Sequence, residues 1–206
     1  GLTESRPEEM AKAMNGQNSV TRSPEGLAAA ADAVPKQGGL PPVQLWNPPY
    51  SGDLDMRIAR DGTWYHEGGV IRRPAMVKLF SSILKLEDGK FFLVTPVEKV
   101  GISVEDAPFV AVDCDATGAG AAQLLSFTTH VGDRVAAGPD NPIRVATSEG
   151  SGGPSPYVMV RAGLEARIDR KTFYRIVDLG VHRDGWFGLW SGGAFFPLMA
   201  SATLEA

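Results

Sequence analysis

Hydrophobic residues recur at two different spacings after residue 53, and each spacing predicts a different element. Leu54, Met56 and Ile58 alternate with other residues, which is the period of a half-buried strand. Over residues 76–84 the hydrophobic positions instead return every three or four residues, with Lys78 on the opposite face, as in an amphipathic helix lying on a sheet. Turn pairs such as Asp-Gly separate the short segments. The pattern predicts an α+β fold with mostly antiparallel sheets.

One pattern occurs twice along the chain. Residues 71–95 (IRRPAMVKLFSSILKLEDGKFFLVT) and residues 168–191 (IDRKTFYRIVDLGVHRDGWFGLWS) each predict a strand, a helix, an Asp-Gly turn and a strand. The repeat predicts two related subdomains, each with one helix packed on a sheet. Two related halves would leave a crevice between them, which we predict to be the ligand site.

Shifts in composition predict three segments. Residues 1–42 form an N-terminal arm that is partly helical or flexible, with short helices over residues 8–14 and 24–34 and with prolines that favour extended chain at its end. Residues 43–106 form the first α+β domain. Residues 107–206 form the second.

Composition excludes several classes of protein. The chain has 206 residues, of which 43% are hydrophobic, and a formal net charge of −4. A hydrophobic core is therefore expected, whereas binding to a nucleic-acid polymer, which needs a basic face, is not. No apolar run approaches the roughly 20 residues that span a bilayer, so membrane insertion is not expected. The single cysteine, Cys114, fits a reducing compartment, and we expect a cytoplasmic location.

The motifs of nucleotide-binding folds and hydrolases are incomplete. Gly118-Ala119-Gly120 follows an apolar strand, but Gln123 stands where a dinucleotide fingerprint has its third glycine, and a strand pattern follows instead of a helix. No GxxxxGK[ST] or GxSxG occurs, and Ser191 lies in WSGG. Cys114 falls in a buried strand, where thiols are usually inert.

The three histidines, His66, His130 and His182, are far apart in sequence and form no metal-binding spacing. We therefore expect no metal and no cofactor, assign no catalytic residue, and favour a protein that is not an enzyme. One alternative stays open: a hydrolase in which Glu98, Glu105 or Asp106 acts with His66. For Glu105 and Asp106 we prefer turn capping, because they follow a strand.

Basic residues give the clearest indication of a ligand. Arg73 opens the first predicted helix, while Arg161, Arg167 and Arg170 lie around the start of the second. Trp64 and Tyr65, near the first helix, add ring faces. Arginine forks with aromatic rings suit an anionic ligand that carries a planar ring. The alternative is that these arginines pair with carboxylates on an acidic surface.

Several stretches resemble a bacterial domain-of-unknown-function family, number 1285. They include DGTWYHEGGVIRR (61–73), LFSSIL (79–84), FFLVTPVEKVGISVEDAPFVAV (91–112) and VRAGLEARIDRKTFYRIV (160–177). The resemblance covers residues 43–198. It implies a duplicated core, a C-terminal domain similar to pleckstrin-homology domains, a ligand site between the domains and a signalling role. It implies no catalytic residues; among the positions in matching motifs are His66, Arg73, Lys99 and Arg167.

The first hypothesis is therefore a regulatory or signalling module that binds a small anionic ligand, such as a nucleotide, at the domain interface. The candidate ligand-binding residues are Trp64, Tyr65, His66, Arg73, Lys99, Arg161, Arg167 and Arg170. The second hypothesis is a protein-interaction module that offers a strand edge or the proline-rich strap to a protein partner. The hydrolase is the third.

Overall fold

The computed structural model describes residues 23–34, 39–147 and 153–204. The helix predicted over residues 8–14 lies outside these ranges. The chain divides into two compact units. The N-terminal unit comprises residues up to 57 together with 64–103, and the C-terminal unit comprises residues 58–63 together with those from 104 onward.

The N-terminal unit contains two helices and a six-stranded sheet with the strand order β3-β2-β1-β6-β5-β4. A 3-10 helix over Val43–Leu45 precedes the sheet. The elements are α1 (Pro24–Asp32), β1 (Tyr50–Ile58), β2 (Trp64–His66), β3 (Gly69–Val70), α2 (Pro74–Ser82), β4 (Leu84–Glu87), β5 (Lys90–Val94) and β6 (Lys99–Val104).

Local signals place these elements. Helix α1 starts after Ser23, whose Oγ accepts the N–H of Gly26 at 3.0 Å. Both helices begin with proline, which suits the first turn because that turn's N–H groups have no partner within the helix. The predicted alternation in β1 is confirmed, since Met56 and Ile58 are buried while Arg57 between them is not. Met56 forms part of the core of the N-terminal unit.

The C-terminal unit contains a second six-stranded sheet with the order β10-β11-β12-β7-β8-β9, and a three-stranded sheet with the order β13-β14-β15. Strands β12 and β7 pair in parallel at the centre of the larger sheet. The elements are β7 (Phe109–Thr117), β8 (Leu124–Thr129), β9 (Arg134–Ala136), β10 (Ile143–Thr147), β11 (Pro154–Arg161), β12 (Leu164–Ile168), α3 (Arg170–Val177), β13 (Val181–Arg183), β14 (Trp186–Ser191), β15 (Ala194–Ala200) and α4 (Ser201–Leu204).

The predicted α+β class is confirmed: the chain has two six-stranded sheets, each with a helix, and in addition a small C-terminal sheet. Strand β7 is buried along its first half and lies inside its sheet, as its apolar run predicted. The similarity of the C-terminal domain to pleckstrin-homology domains stays a prediction.

The repeated pattern folds into the same local motif twice. In each copy a helix is followed by a hairpin whose Asp-Gly turn has positive φ at both residues: 49° and 78° at Asp88 and Gly89, and 51° and 84° at Asp184 and Gly185. Positive φ at both positions is the signature of a type I′ turn, which matches the twist of a hairpin. The copies differ in pairing, because β4–β5 joins the six-stranded sheet whereas β13–β14 belongs to the separate small sheet. The recurring motif is shown, and an ancestral duplication stays a prediction.

Candidate functional site

The C-terminal unit contains a cavity of about 290 Å³ at the start of α3, here called the arginine pocket. Helix α3 begins after Asp169, whose Oδ1 accepts the N–H of Thr172 at 3.0 Å. This cap places Arg170 at the first position of the helix, beside the end of β12. The described residues that line the pocket are Arg60, Gly153, Pro154, Ser155, Pro156, Arg167, Ile168, Arg170, Phe173 and Tyr174.

Asp106 organises one side of the arginine pocket. Its Oδ2 lies 2.8 Å from Nη1 of Arg60, and its Oδ1 accepts a 2.6 Å hydrogen bond from the hydroxyl of Tyr157. Burial and this hydrogen bond both raise the pKa of Tyr157, so the phenol stays a donor at neutral pH. One oxygen of the Asp106 carboxylate therefore binds Arg60, while the other oxygen binds Tyr157.

Arg167 is held by the backbone carbonyl of Arg60. Its Nε and Nη2 donate to the carbonyl oxygen of Arg60 at 3.3 and 3.1 Å, and Nε lies 3.9 Å from Oδ2 of Asp106. Only 16% of its side chain is exposed. A guanidinium with two of its donors engaged has a fixed orientation, so Arg167 contributes a positioned charge to the pocket.

Arg170 differs from these two arginines. It is exposed, and no hydrogen bond or ion pair to it occurs within the described ranges. Tyr174 lies one helical turn later and is 62% exposed, while Phe173 beside it is half-buried. The pocket therefore combines an uncompensated guanidinium with accessible ring surface.

The electrostatics of the pocket favour an anion. Asp106 is matched by Arg60, and Asp61 lies close enough to Arg167 for that charge to act on it. Hydrogen bonds from the backbone and side chain of Thr63 lower the pKa of Asp61 most, and Arg167 lowers it further. Arg60 and Arg167 thus lie near carboxylates, including Glu105, which accepts the backbone N–H of Arg60, whereas Arg170 has no ion pair within the described ranges.

A second cavity, of about 540 Å³, lies in the N-terminal unit where α1 packs against α2. We call it the helix cavity. Arg73 and Lys78 of the α2 segment are the cations in its lining. The other described lining residues are Ala28, Asp32, Gly39, Leu40, Pro41, Ala75, Met76, Leu79 and Ser82.

Three of the predicted ligand-binding residues follow one another in the N-terminal unit. Trp64 is 1% exposed and stacks on Phe80 with ring centroids 5.8 Å apart. The ring of Tyr65 is covered by the guanidinium of Arg57, 4.3 Å from its centroid. His66 has Nε2 3.8 Å from the carboxylate of its neighbour Glu67.

Lys99 and Arg161 are engaged in ion pairs within their own units. Nζ of Lys99 lies 2.9 Å from Oε2 of Glu87, and this hydrogen bond is the largest cause of the lowered pKa of Glu87, followed by that from Lys85. Nη1 of Arg161 lies 3.1 Å from Oδ2 of Asp133. For Lys99 and Arg161, pairing with carboxylates is the observed arrangement.

Of the eight predicted residues, Arg167 and Arg170 share the arginine pocket and Arg73 lines the helix cavity. Sequence reasoning missed Arg60, Phe173 and Tyr174. A signal existed for Tyr174, since it lies four residues after Arg170 on one predicted helix, and residues at that spacing share a face. The role of the eight predicted residues in ligand binding stays a prediction.

Comparison with known families identifies both parts of the chain. A model described as "Domain of unknown function (DUF1285), N-terminal domain" matches residues 41–107. One described as "Protein of unknown function (DUF1285), C-terminal domain" matches residues 108–198. The chain belongs to the DUF1285 family. The resemblance found in the sequence is thereby confirmed.

Two solved structures are similar to this chain. A DUF1285 family protein from Silicibacter pomeroyi DSS-3 is 65% identical, with a TM-score of 0.82, and the match covers 88% of this chain and 98% of that one. A DUF1285 family protein from Shewanella baltica OS155 is 29% identical over 61% of this chain and 91% of that one, with a TM-score of 0.48. No curated protein matches the chain.

The incomplete motifs have structural roles in this DUF1285 protein. Gly120–Ala122 forms a 3-10 helix, and strand β8 follows it after Gln123, so a strand follows the glycines as the sequence pattern predicted. Cys114 is buried, and burial raises the pKa of its thiol to about 12. Ser191 is buried between the sheets of the C-terminal unit, where it donates to the carbonyl of Ala137 and accepts the N–H of Leu125.

The acidic candidates of the C-terminal unit, Glu105 and Asp106, both bind Arg60, one at its backbone and the other at its side chain. Oε2 of Glu105 accepts the N–H of Arg60 at 3.0 Å, and Asp106 holds its guanidinium. Turn capping by Glu105 and Asp106 at the end of their own strand stays a prediction. No group of three or more metal-ligating side chains occurs in the part of the chain that the structure describes. In that part, no helix is both long and apolar enough to cross a bilayer.

Proposed function

We propose that the chain is a ligand-binding regulatory or signalling module for a small anion that carries a planar ring, such as a nucleotide. The observation that supports this function best is the arginine pocket. There, Arg170 has no ion partner among the described residues and stands one turn before the exposed ring of Tyr174.

The chemistry of the pocket matches such a ligand. A guanidinium donates two parallel N–H groups to a phosphate or carboxylate, and its own plane stacks on flat rings. Arg170 supplies an available fork, Arg167 adds a fixed charge, and Tyr174 with Phe173 adds ring surface. The volume of about 290 Å³ lies just below the 300–1,000 Å³ typical of ligand pockets, which favours a mononucleotide over a dinucleotide.

Binding, more than catalysis, is what the lining supports. Its described polar groups are three guanidiniums, the hydroxyls of Ser155 and Tyr174, and backbone groups. None of these lining residues is a histidine or carboxylate that could act as a general base toward a hydroxyl. This is why we propose a regulatory role for the ligand. The location of a ligand at the domain interface, a duplicated ancestry and a cytoplasmic location stay predictions.

The test is titration with AMP, GMP, CMP, UMP and inorganic phosphate, each to about 1 mM, followed by calorimetry and thermal unfolding, since a ligand that binds only the folded state raises its stability. At least one nucleotide should bind more tightly than phosphate, because the ring adds contact. Arg170→Gln should weaken that binding about tenfold or more, which corresponds to about 1.4 kcal/mol.

The matched control is Arg72→Gln, which removes one exposed arginine that lines neither cavity. Its affinity should equal that of the wild type. Absence of a shift with every nucleotide, or equal binding by Arg170→Gln and Arg72→Gln, would refute the proposed function.

A protein-interaction module is the second candidate, and the small sheet favours it. Val181 on β13 and Trp186 on β14 are 40% and 48% exposed, although large apolar side chains are usually covered. Light scattering at rising protein concentration tests for self-association through this sheet, which Trp186→Ser should reduce. A monomer at every concentration would leave no support for self-association.

The hydrolase alternative combines Glu98 and His66 of the N-terminal unit with Glu105 and Asp106 of the C-terminal unit. No observation favours it, since Glu105 and Asp106 are engaged with Arg60. It stays a prediction.

A further inference from the structure

We propose that the helix cavity is a second binding site, which takes a small amphipathic carboxylate with a short alkyl chain. The site lies wholly within the N-terminal unit and shares no described residue with the arginine pocket. It is independent of the proposed nucleotide site.

The walls of the cavity are suited to an alkyl chain. Side chains of Ala28, Pro41 and Ala75 are small or rigid, and those of Leu40, Met76 and Leu79 offer flexible apolar surface. Leu40 is 50% exposed, so an occupant could still cover apolar area there. The volume of about 540 Å³ is well inside the range of ligand pockets.

The cations of the cavity are suited to a carboxylate. Arg73 stands at the N-cap of α2 without a side-chain capping bond, and Lys78 follows on the exposed side of the helix. Within the described ranges neither side chain has a hydrogen bond or an ion pair. Asp32 also lines the cavity, but the two cations outnumber this single carboxylate among the described lining residues. An anionic head group would therefore be attracted to this rim.

The lining argues against a nucleotide in this cavity. None of its described residues is aromatic, so a base would have no ring on which to stack. Its polar side chains other than the two cations are Asp32 and Ser82, which is few for reading the edge of a base. A chain of methylenes uses the apolar walls better than a flat polar ring does.

The experiment is calorimetric titration of the whole chain with hexanoate, octanoate and decanoate, below micelle-forming concentrations. Affinity should rise about fourfold with each added methylene that is buried. Decyltrimethylammonium, whose alkyl tail is one carbon longer and whose charge is opposite, should bind at least tenfold more weakly than decanoate. Equal binding of the two would show a merely apolar surface and would overturn the proposal, as would no binding of decanoate.

Variants locate the site. The double substitution Arg73→Gln with Lys78→Gln should weaken decanoate binding about tenfold or more, whereas Arg72→Gln, the neighbouring exposed arginine outside the lining, should not. Unchanged binding by the double variant contradicts the proposal. Should that variant fail to fold, the Met76 methyl resonance of ¹³C-labelled wild-type protein decides instead, because decanoate must shift it.

The two sites can fail separately. Arg170→Gln should keep full affinity for decanoate, and nucleotides should not compete with decanoate. Loss of decanoate binding in Arg170→Gln would assign the carboxylate to the arginine pocket and reject the helix cavity.

Discussion

The hydroxyl of Tyr157 donates a 2.6 Å hydrogen bond to Asp106, and the opposite oxygen of this carboxylate holds Arg60 at 2.8 Å. Asp106, a candidate catalytic carboxylate in the sequence, thus links β11 to Arg60, which lies in the turn between β1 and β2. It supports the arginine pocket without lining it.

Asp106→Asn should lower the pKa of Tyr157 without returning it fully to normal. The hydrogen bond to the charged carboxylate is the second cause of the raised pKa, whereas burial, the largest cause, would persist. Absorbance at 295 nm against pH measures the phenol, with Tyr157→Phe subtracted to isolate its transition. An unchanged transition in Asp106→Asn would mean that the carboxylate does not act on this tyrosine.

Ser191→Ala should lower the free energy of unfolding by about 2 kcal/mol, since a buried N–H and a buried carbonyl each lose their partner. Ser191 is fully buried, and its Oγ serves Leu125 and Ala137 at 2.8 Å each. Urea unfolding followed by tryptophan fluorescence measures the loss. Ser103→Ala, at an exposed strand position, is the control and should stay within about 0.5 kcal/mol of wild type. Equal losses in both variants would show that the two hydrogen bonds contribute nothing.

Local order could be predicted from the sequence because its causes are local. The alternation over β1 and the two Asp-Gly turns depend on neighbouring residues, and both are found. The apolar face over residues 172–179 predicts the second helix there, whereas α3 spans Arg170–Val177. The difference arises because Asp169 caps it, a signal that lies outside the apolar periodicity.

The site could be predicted only in part because its contacts are distant in sequence. Arg167 and Arg170, which lie close in sequence around one predicted helix start, both line the arginine pocket. Arg60 lies beside them because its backbone carbonyl accepts a hydrogen bond from Arg167, which is 107 positions away in sequence. Every residue has a backbone carbonyl, so the sequence gives no signal for this contact. The burial of single side chains is equally hard to predict from the sequence. The sequence predicts Trp64 as a ring face for a ligand, whereas its ring is buried in the N-terminal unit and stacks on Phe80.

Cys114 should be almost unreactive in the native protein. Burial raises the pKa of its thiol to about 12 despite the opposing charge of Arg175, so the thiolate at pH 8 is about one part in ten thousand. Reaction with a chromogenic disulfide should be orders of magnitude slower in buffer than in urea. Because Cys114 is the only cysteine, a chain with Cys114→Ser and Ser103→Cys gives a matched exposed thiol, which should react quickly when folded. Equal rates for the two native thiols would contradict the assignment.

His130 should make the C-terminal unit less stable in mild acid. Its Nδ1 accepts the N–H of Val110 at 3.2 Å, so its proton lies on Nε2, which donates to the carbonyl of Gly62 at 3.1 Å. Burial lowers the pKa of His130 below its ordinary value; the two backbone bonds and the charges of Asp133 and Asp61 only partly oppose this effect. A second proton would have to enter at Nδ1 and would remove the bond from Val110.

The sign of the pH dependence follows from this lowered pKa. The unfolded chain takes up the proton at higher pH than the folded chain, so the stabilisation is complete above the ordinary histidine value near 6.5. It is lost as the pH falls through the lower folded pKa. Urea unfolding between pH 8 and pH 5 should therefore show falling stability. His130→Gln should be less stable by about 1–3 kcal/mol at pH 8 but should flatten this dependence. His182→Gln, at an exposed position, should keep the wild-type slope, and a slope that survives in His130→Gln would assign the titration to another group.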